Sequence, residues 1–154
     1  MCGIYGSTKI YSEDIIRSKL KMIEFRGPDN SEFDIINSKV ILGHNRLSII
    51  DLNKRSNQPF RYNHLVITFN GQIYNYNKLK KDLINKGLIF KTTSDTEVIC
   101  ACYQFYGEKC IEKFNGMFAF VVYDEKNNIL FGARDRFGQK PFYYTLNDGS
   151  FEFA

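Results

Sequence analysis

Residues 117–124 constrain the fold more than any other stretch, because they are apolar on both alternating faces. Met117, Ala119, Val121 and Tyr123 fall on one face; Phe118, Phe120 and Val122 fall on the other. A strand with no polar face has to be covered on both sides, so it belongs to an inner layer. Glu125-Lys126-Asn127-Asn128 turns the chain into 129–133, an antiparallel partner. The opening residues read as a short strand. Residues 33–37 and 39–43 form a hairpin about Asn37-Ser38, 65–69 and 89–91 read as strands, and 142–146 returns through Asn147-Asp148-Gly149 to 150–154. Helical patterns lie between these runs. Ser12 ahead of Glu13 and Asp14 is an N-cap signal, with Ile16, Leu20 and Ile23 forming one apolar stripe that ends near Phe25. Asn75 caps a second helix carrying Leu79 and Leu83, with Gly87 as its stop. Ser94 and Asp95 open a third that carries Val98, Ile99, Cys102 and Tyr106, followed by a short helical stretch at 108–113. Two antiparallel sheets packed face to face, with helices outside each, satisfy all of these patterns in an α+β architecture.

Composition acts mainly by exclusion. A chain of 154 residues, 44% hydrophobic, is the size of one domain with a real core. It contains no apolar run long enough for a bilayer and its first ten residues lack a signal-peptide pattern, so a cytoplasmic location and reduced cysteines are expected. Cys100, Cys102 and Cys110 sit among apolar residues without zinc-site spacing and read as core. The net charge of +4 comes from scattered lysines and does not suggest a nucleic-acid or membrane partner. The sequence stops in mid-strand, so residues 1–154 are expected to be one domain of a longer protein.

Four places carry candidate chemistry. If Met1 is trimmed, Cys2 bears a thiol and a free α-amine on neighbouring carbons, with reference pKa values of about 8.5 and about 7.7–8.0. The amine can then act as the base for the thiol, although a cysteine after an initiator can also be incidental. Gly3 and Gly6 would allow a close backbone approach beside it. His44 to Phe60 reads as a loop too long for a simple connector. Arg46 within it suits a carboxylate clamp as well as it suits a structural ion pair with Asp51. Asn70-Gly71 is a strong hairpin signal, and equally two donors converging on one point, as an oxyanion hole requires. Ser94 and Asp95 read first as caps, with Asp95 also able to receive an ammonium group. Arg26-Gly27-Pro28-Asp29-Asn30 is a tight turn in which the arginine reads as structural.

Taken in order, these residues resemble the glutaminase domain of glutamine-hydrolysing asparagine synthetases, class-II glutamine amidotransferases of the N-terminal-nucleophile hydrolase type. The resemblance rests on Met-Cys-Gly-Ile at 1–4, Arg-Gly-Pro-Asp at 26–29, His-x-Arg-Leu-Ser-Ile at 44–49, Gln-Pro at 58–59 and Asn-Gly-x-Ile-Tyr-Asn at 70–75. Ser-Asp-x-Glu at 94–97, Phe-x-Gly-Met-Phe-Ala at 114–119 and Arg-Asp-Arg-x-Gly-x-Lys-Pro-x-Tyr-Tyr at 134–144 complete it. It implies a four-layer αββα sandwich. It also implies that Cys2 attacks the glutamine amide through a thioester, with the Asn70 side chain and Gly71 backbone as oxyanion hole. Arg46 would hold the α-carboxylate, Asp95 beside Ser94 the α-ammonium, and Leu47, Ile49 and Ile50 the pocket wall. Gln72 stands where the family usually has an acid, which implies weaker glutamine binding and more reliance on Asp95. Phe25 replaces a frequent histidine and reads as packing.

By the same resemblance, this domain needs no metal or cofactor of its own. A following synthetase domain would use ATP and magnesium, take the ammonia through an internal channel and amidate a carboxylate, aspartate by default. A non-catalytic glutamine-binding or docking module, and an N-terminal-cysteine acylase acting on another amide, are the competing readings. A homodimer is compatible with the sequence, which leaves oligomeric state open.

Overall fold

The computed structural model of the chain describes residues 1–49, 51 and 53–154. The first half runs β1 (Gly3–Ser7), α1 (Glu13–Met22), a 3₁₀ turn (Glu24–Arg26), β2 (Asn30–Ile36), β3 (Val40–Arg46), a second 3₁₀ turn (Lys54–Ser56), β4 (Phe60–Tyr62) and β5 (Leu65–Ile73). The second half runs α2 (Tyr76–Ile84), α3 (Asp95–Tyr106), a 3₁₀ stretch (Gly107–Lys113), β6 (Gly116–Asp124), β7 (Ile129–Arg134), β8 (Tyr144–Asn147) and β9 (Ser150–Phe153). One sheet has the order β2-β3-β1-β9-β8 and the other β4-β5-β6-β7, and all their pairings are antiparallel.

Three apolar clusters define four layers. Between the sheets lie Ile4, Val40, Leu42, Val66, Ala119, Val121, Tyr123 and Phe153. Tyr5 and Ile41, on the opposite parity of β1 and β3, meet Ile16 and Leu20 of α1. Leu65, Ile67, Phe69, Phe118, Phe120 and Val122 meet α2 and α3 through Leu79, Leu83, Val98, Ile99 and Cys102. The two faces of β6 therefore serve two different interfaces, as its doubly apolar pattern requires. Each fully buried side chain of this kind contributes roughly 1.5–3 kcal/mol relative to exposure.

Several local expectations change. Residues 44–46 belong to β3 rather than to a loop, and β5 runs straight through Asn70-Gly71 in register with β6, pairing Asn70 with Ala119 and Gly71 with Phe118. The hairpin signal is overridden because 65–73 gains a full-length partner in 116–124. Residues 89–91 form no strand; the Lys91 and Thr92 N–H groups instead donate to the Glu97 carboxylate at 2.8 Å each. The first helix stops at Met22 and tightens into the 3₁₀ turn, and the strand expected at 142–146 is β8, beginning at Tyr144. The short β4 has no counterpart among the expected strands. Gly6 makes room for packing rather than for a substrate, since a Cβ there would enter the Phe153 ring.

Candidate functional site

Strand parity brings most of the candidate residues to one end of the sandwich. Cys2 shares the parity of Ile4; His44 and Arg46 share that of Leu42; Asn70 and Gln72 share that of Val66. Successive side chains alternate across a strand, so all five fall on the inter-sheet side. There they line a cavity of about 150 Å³ together with Leu47, Ile49, Gly71, Ser94 and Asp95, His44 excepted. Ile50, also expected in the wall, lies outside the described residues.

Cys2 is half-buried at the start of β1. Its sulfur accepts a hydrogen bond from the Leu47 N–H at 3.4 Å and lies 3.7 Å from the Leu47 carbonyl oxygen. Burial pushes the thiol above its ordinary pKa, while the Leu47 N–H, the terminal ammonium and the Arg46 guanidinium oppose the rise. Arg26 Nε donates to the Cys2 carbonyl at 3.4 Å, while its Nη2 is buried with no hydrogen-bond partner among the described residues.

Arg46 is 6% exposed at the end of β3. Its guanidinium donates to the Asn53 carbonyl at 3.2 Å, to Asn57 Oδ1 at 2.6 Å and to the Asp51 carbonyl at 2.5 Å. The Asp51 carboxylate accepts from the N–H and hydroxyl of Thr93, each at 3.0 Å, and from Arg55 at 3.3 Å. Arg46 thus lines the cavity and organises the loop that follows it. Asp29 supports the same segment by accepting from the Ser48 N–H at 2.7 Å.

Asn70 is 3% exposed. A Cβ on Gly71 would run into the Met117 carbonyl oxygen and the Phe118 Cα, so only glycine lets β5 lie this close to β6 here. Ser94 is the cap of α3, accepting from the Thr96 N–H at 3.1 Å. Asp95, in the first turn and 4% exposed, accepts from the Ile73 N–H at 3.0 Å. Burial raises its carboxyl to about 6, against the lowering pull of nearby backbone N–H groups.

Gln58, Thr96, Met117 and Lys140 also line the cavity, although sequence reasoning gave them no role there. Gln58 Oε1 accepts from the Phe69 N–H at 2.6 Å and its Nε2 lies 3.4 Å from Thr96 Oγ1, joining β5 to α3. Its only sequence signal was the Gln-Pro pair; that of Lys140 was its place in the 134–144 motif. On the far side of Cys2 and Asn70 lies a second, mainly apolar recess of about 280 Å³, bounded by Ile4, Ile23, Phe25 and Tyr143.

The family model for the glutamine amidotransferase domain matches residues 1–154. The chain belongs to that family. Among its relatives, asparagine synthetase [glutamine-hydrolyzing] 1 of Bacillus subtilis is 42% identical over 96% of this chain and 25% of its own length. The putative asparagine synthetase [glutamine-hydrolyzing] 2 of Methanocaldococcus jannaschii is 37% identical over all of this chain and 34% of its own. This amidotransferase domain therefore spans about a quarter to a third of these two curated relatives. Of the solved structures, the glutamine phosphoribosylpyrophosphate amidotransferase of B. subtilis superposes with a TM-score of 0.74 at 18% identity, covering 99% of this chain and 41% of that one. At that identity the likeness shows the shared fold, the α+β arrangement of two antiparallel sheets with helices. Among the described residues, no helix is long and apolar enough to cross a membrane and no cluster of metal-ligating side chains is present.

Proposed function

We propose that this amidotransferase domain hydrolyses the side-chain amide of free glutamine to glutamate and ammonia, with Cys2 as nucleophile once Met1 is removed. The observation that carries the reading is the convergence of a thiol, an arginine and a buried carboxylate on one small cavity beside Asn70 and Gly71. An arginine and a carboxylate at one site match the α-carboxylate and α-ammonium of a free amino acid, and the reacting amide then lies toward the thiol. That pairing disfavours an acylase acting on a substrate without those charges.

In the proposed cycle the α-amine of Cys2 takes the thiol proton and the sulfur adds to the amide carbon. The oxyanion is stabilised by the Asn70 side-chain amide and the Gly71 N–H. The amine returns its proton to the leaving nitrogen, the C–N bond breaks, and ammonia departs from a γ-glutamyl thioester. Water, deprotonated by the same amine, adds to the thioester; the C–S bond breaks as the sulfur takes that proton back from the amine, and glutamate leaves. The apolar recess beyond Cys2 and Asn70 offers ammonia an exit away from the charged groups of the cavity. The consumer of that ammonia is proposed to be an ATP-dependent synthetase domain or subunit that amidates a carboxylate, aspartate by default, in keeping with the names of the relatives.

The test is intact mass followed by a glutaminase assay and labelling with an electrophilic glutamine analogue, with Cys2→Ala as control. The chain with a mature Cys2 terminus is expected to release ammonia and to label at Cys2. Cys2→Ala is expected to lose turnover by several orders of magnitude. Glutamine binding by the mature chain without turnover or labelling would overturn the catalytic reading in favour of a binding module, for which the neutral Gln72 is the motivating residue.

A further inference from the structure

Lys140 is a buried cation that the cycle above leaves unused. It is 3% exposed, lines the same cavity as Cys2, and its ammonium abuts the Met1 sulfur. Its backbone is clamped from two sides. The Asp135 carboxylate accepts from the Lys140 N–H at 3.0 Å, and also from Phe118, Phe137 and Gln139; Arg134 Nε donates to the Lys140 carbonyl at 2.6 Å. The corner between β7 and β8 is thereby held in a shape that carries this lysine inward.

Lysine is among the residues least often buried without a partner, because a desolvated ammonium is costly. Yet Lys140 forms no ion pair with a carboxylate among the described residues. Three charged or titratable groups act on it. Arg26 repels it from the turn before β2, Asp135 attracts it from its own corner, and Cys2 attracts it when ionised. Burial and Arg26 together hold its ammonium below the ordinary lysine range. Such a charge is best compensated when the neighbouring sulfur becomes negative, which happens only as the reaction begins. An interaction stronger in the reacting state than at rest is the kind that accelerates a step.

We propose that Lys140 is a positioning residue of this site, whose positive charge makes both the thiol and the exposed α-amine of mature Cys2 give up their protons more readily. The thiolate is favoured by direct attraction. The amine is kept in its neutral, basic form by repulsion between two ammonium groups. Arg46 and the Leu47 N–H act on the sulfur in the same sense, and Asp95 opposes them. Lys140 does not itself transfer a proton.

The inference rests on the glutaminase reading, but the two fail differently. The measurement is the rate of Cys2 alkylation by iodoacetamide against pH, read by peptide mass spectrometry on the mature chain, with Lys140→Met and Lys140→Arg beside the parent. Lys140→Met is expected to move the midpoint up by about one pH unit, slowing alkylation near neutrality about tenfold. Lys140→Arg is expected to keep the parental midpoint. A folded Lys140→Met chain with an unchanged midpoint overturns the inference whether or not glutamine is hydrolysed. An inactive parent with a shifted midpoint overturns only the glutaminase reading. Should charge removal unfold the chain, lysine-side-chain NMR decides, because coupled titrations are reciprocal. The Lys140 signal of the mature parent is expected to show inflections from both the α-amine and the thiol, of which Cys2→Ala keeps only that of the amine; no thiol inflection in the parent overturns the inference.

Discussion

Asp95 shows what it costs a single residue to hold a carboxylate in a buried cavity. Its carboxyl ionises near 6 in the folded chain because burial disfavours the charge, whereas an unfolded aspartate ionises near about 3.9. Between those values the folded state holds the proton more tightly, so stability falls as pH rises from about 4 to about 6 and stays reduced above that. The gap corresponds to roughly 2–3 kcal/mol. Asp95→Asn keeps an oxygen for the Ile73 N–H and removes the charge. It is expected to melt higher than the parent above pH 6, with the gain vanishing near about pH 4, while its KM for glutamine rises roughly 10- to 100-fold through loss of a charged hydrogen bond. A melting difference that does not change with pH would refute the linkage. Gln72 presents the converse case, a neutral group where a carboxylate would fit the proposed ammonium. Gln72→Glu should lower KM about fivefold, the difference of about 1 kcal/mol between charged and neutral hydrogen bonds; an unchanged or higher KM would show that position 72 does not face the amine. At this scale the sequence made Cys2, Arg46, Asn70 and Asp95 legible, because each is the chemically unusual residue of a short motif. Lys140 was not, since a lysine in a charged corner looks solvated until its backbone clamps are seen.

Among the elements, the segment between β3 and β4 forms the wall of the cavity and has little regular structure to hold it. Arg46 gathers its backbone from one side, and Asp51 ties it to Thr93, just before α3. Burial works against the Asp51 charge, yet the Thr93 N–H and hydroxyl, with Ser56 and Asn53, hold its carboxyl well below the usual range. The strut is therefore charged at any ordinary pH. Thr93→Val removes the hydroxyl and keeps the shape. We expect the segment to open roughly 10- to 100-fold more often, following the loss of about 1.5–3 kcal/mol from one hydrogen bond to a carboxylate. Faster tryptic cleavage after Lys54 and Arg55, with little change in global melting, is the readout; unchanged cleavage would mean that Thr93 does not hold the wall. Period-two patterning reveals strands well but says little about such a tie, which joins residues 42 positions apart. It also misled at Asn70-Gly71, where the local turn chemistry is real but β6 supplies a longer partner.

For the molecule as a whole, the two sheets are joined by more than their apolar interface. Thr68 Oγ1 donates to the Gly43 carbonyl at 2.9 Å, and His44 Nε2 donates to the Phe69 carbonyl at 3.1 Å. Both bonds cross from one sheet to the other near the site. The doubly apolar β6 made the layered architecture readable, but a buried histidine on β3 could have been a ligand, a base or a staple, and only its partner across the gap identifies it. Donating from Nε2 leaves Nδ1 as a buried lone pair with no partner among the described residues. Burial pushes the imidazole down to about 3, opposed by the Phe69 bond and reinforced by Arg46. An unfolded histidine binds its proton near about 6.5, so between about 3 and 6.5 the unfolded chain holds more protons and stability falls with acidification. Asp95 acts in the opposite sense from about 6 down to about 4, and the lowered carboxyls of Asp51, Asp124, Asp135 and Glu152 add to the acid loss as the pH nears their unfolded values. His44→Gln can still donate to Phe69 but cannot titrate. Its unfolding free energy in urea is expected to be lower than the parent's near about pH 7.5, because the amide fills the ring's space poorly. It should then change little toward about pH 4.5, as Asp95 offsets the carboxylates of Asp51, Asp124, Asp135 and Glu152, whose charges the fold favours, while the parent loses on the order of a few kcal/mol from His44 as well. Parallel pH curves for parent and variant would show that the proton driving acid unfolding binds elsewhere.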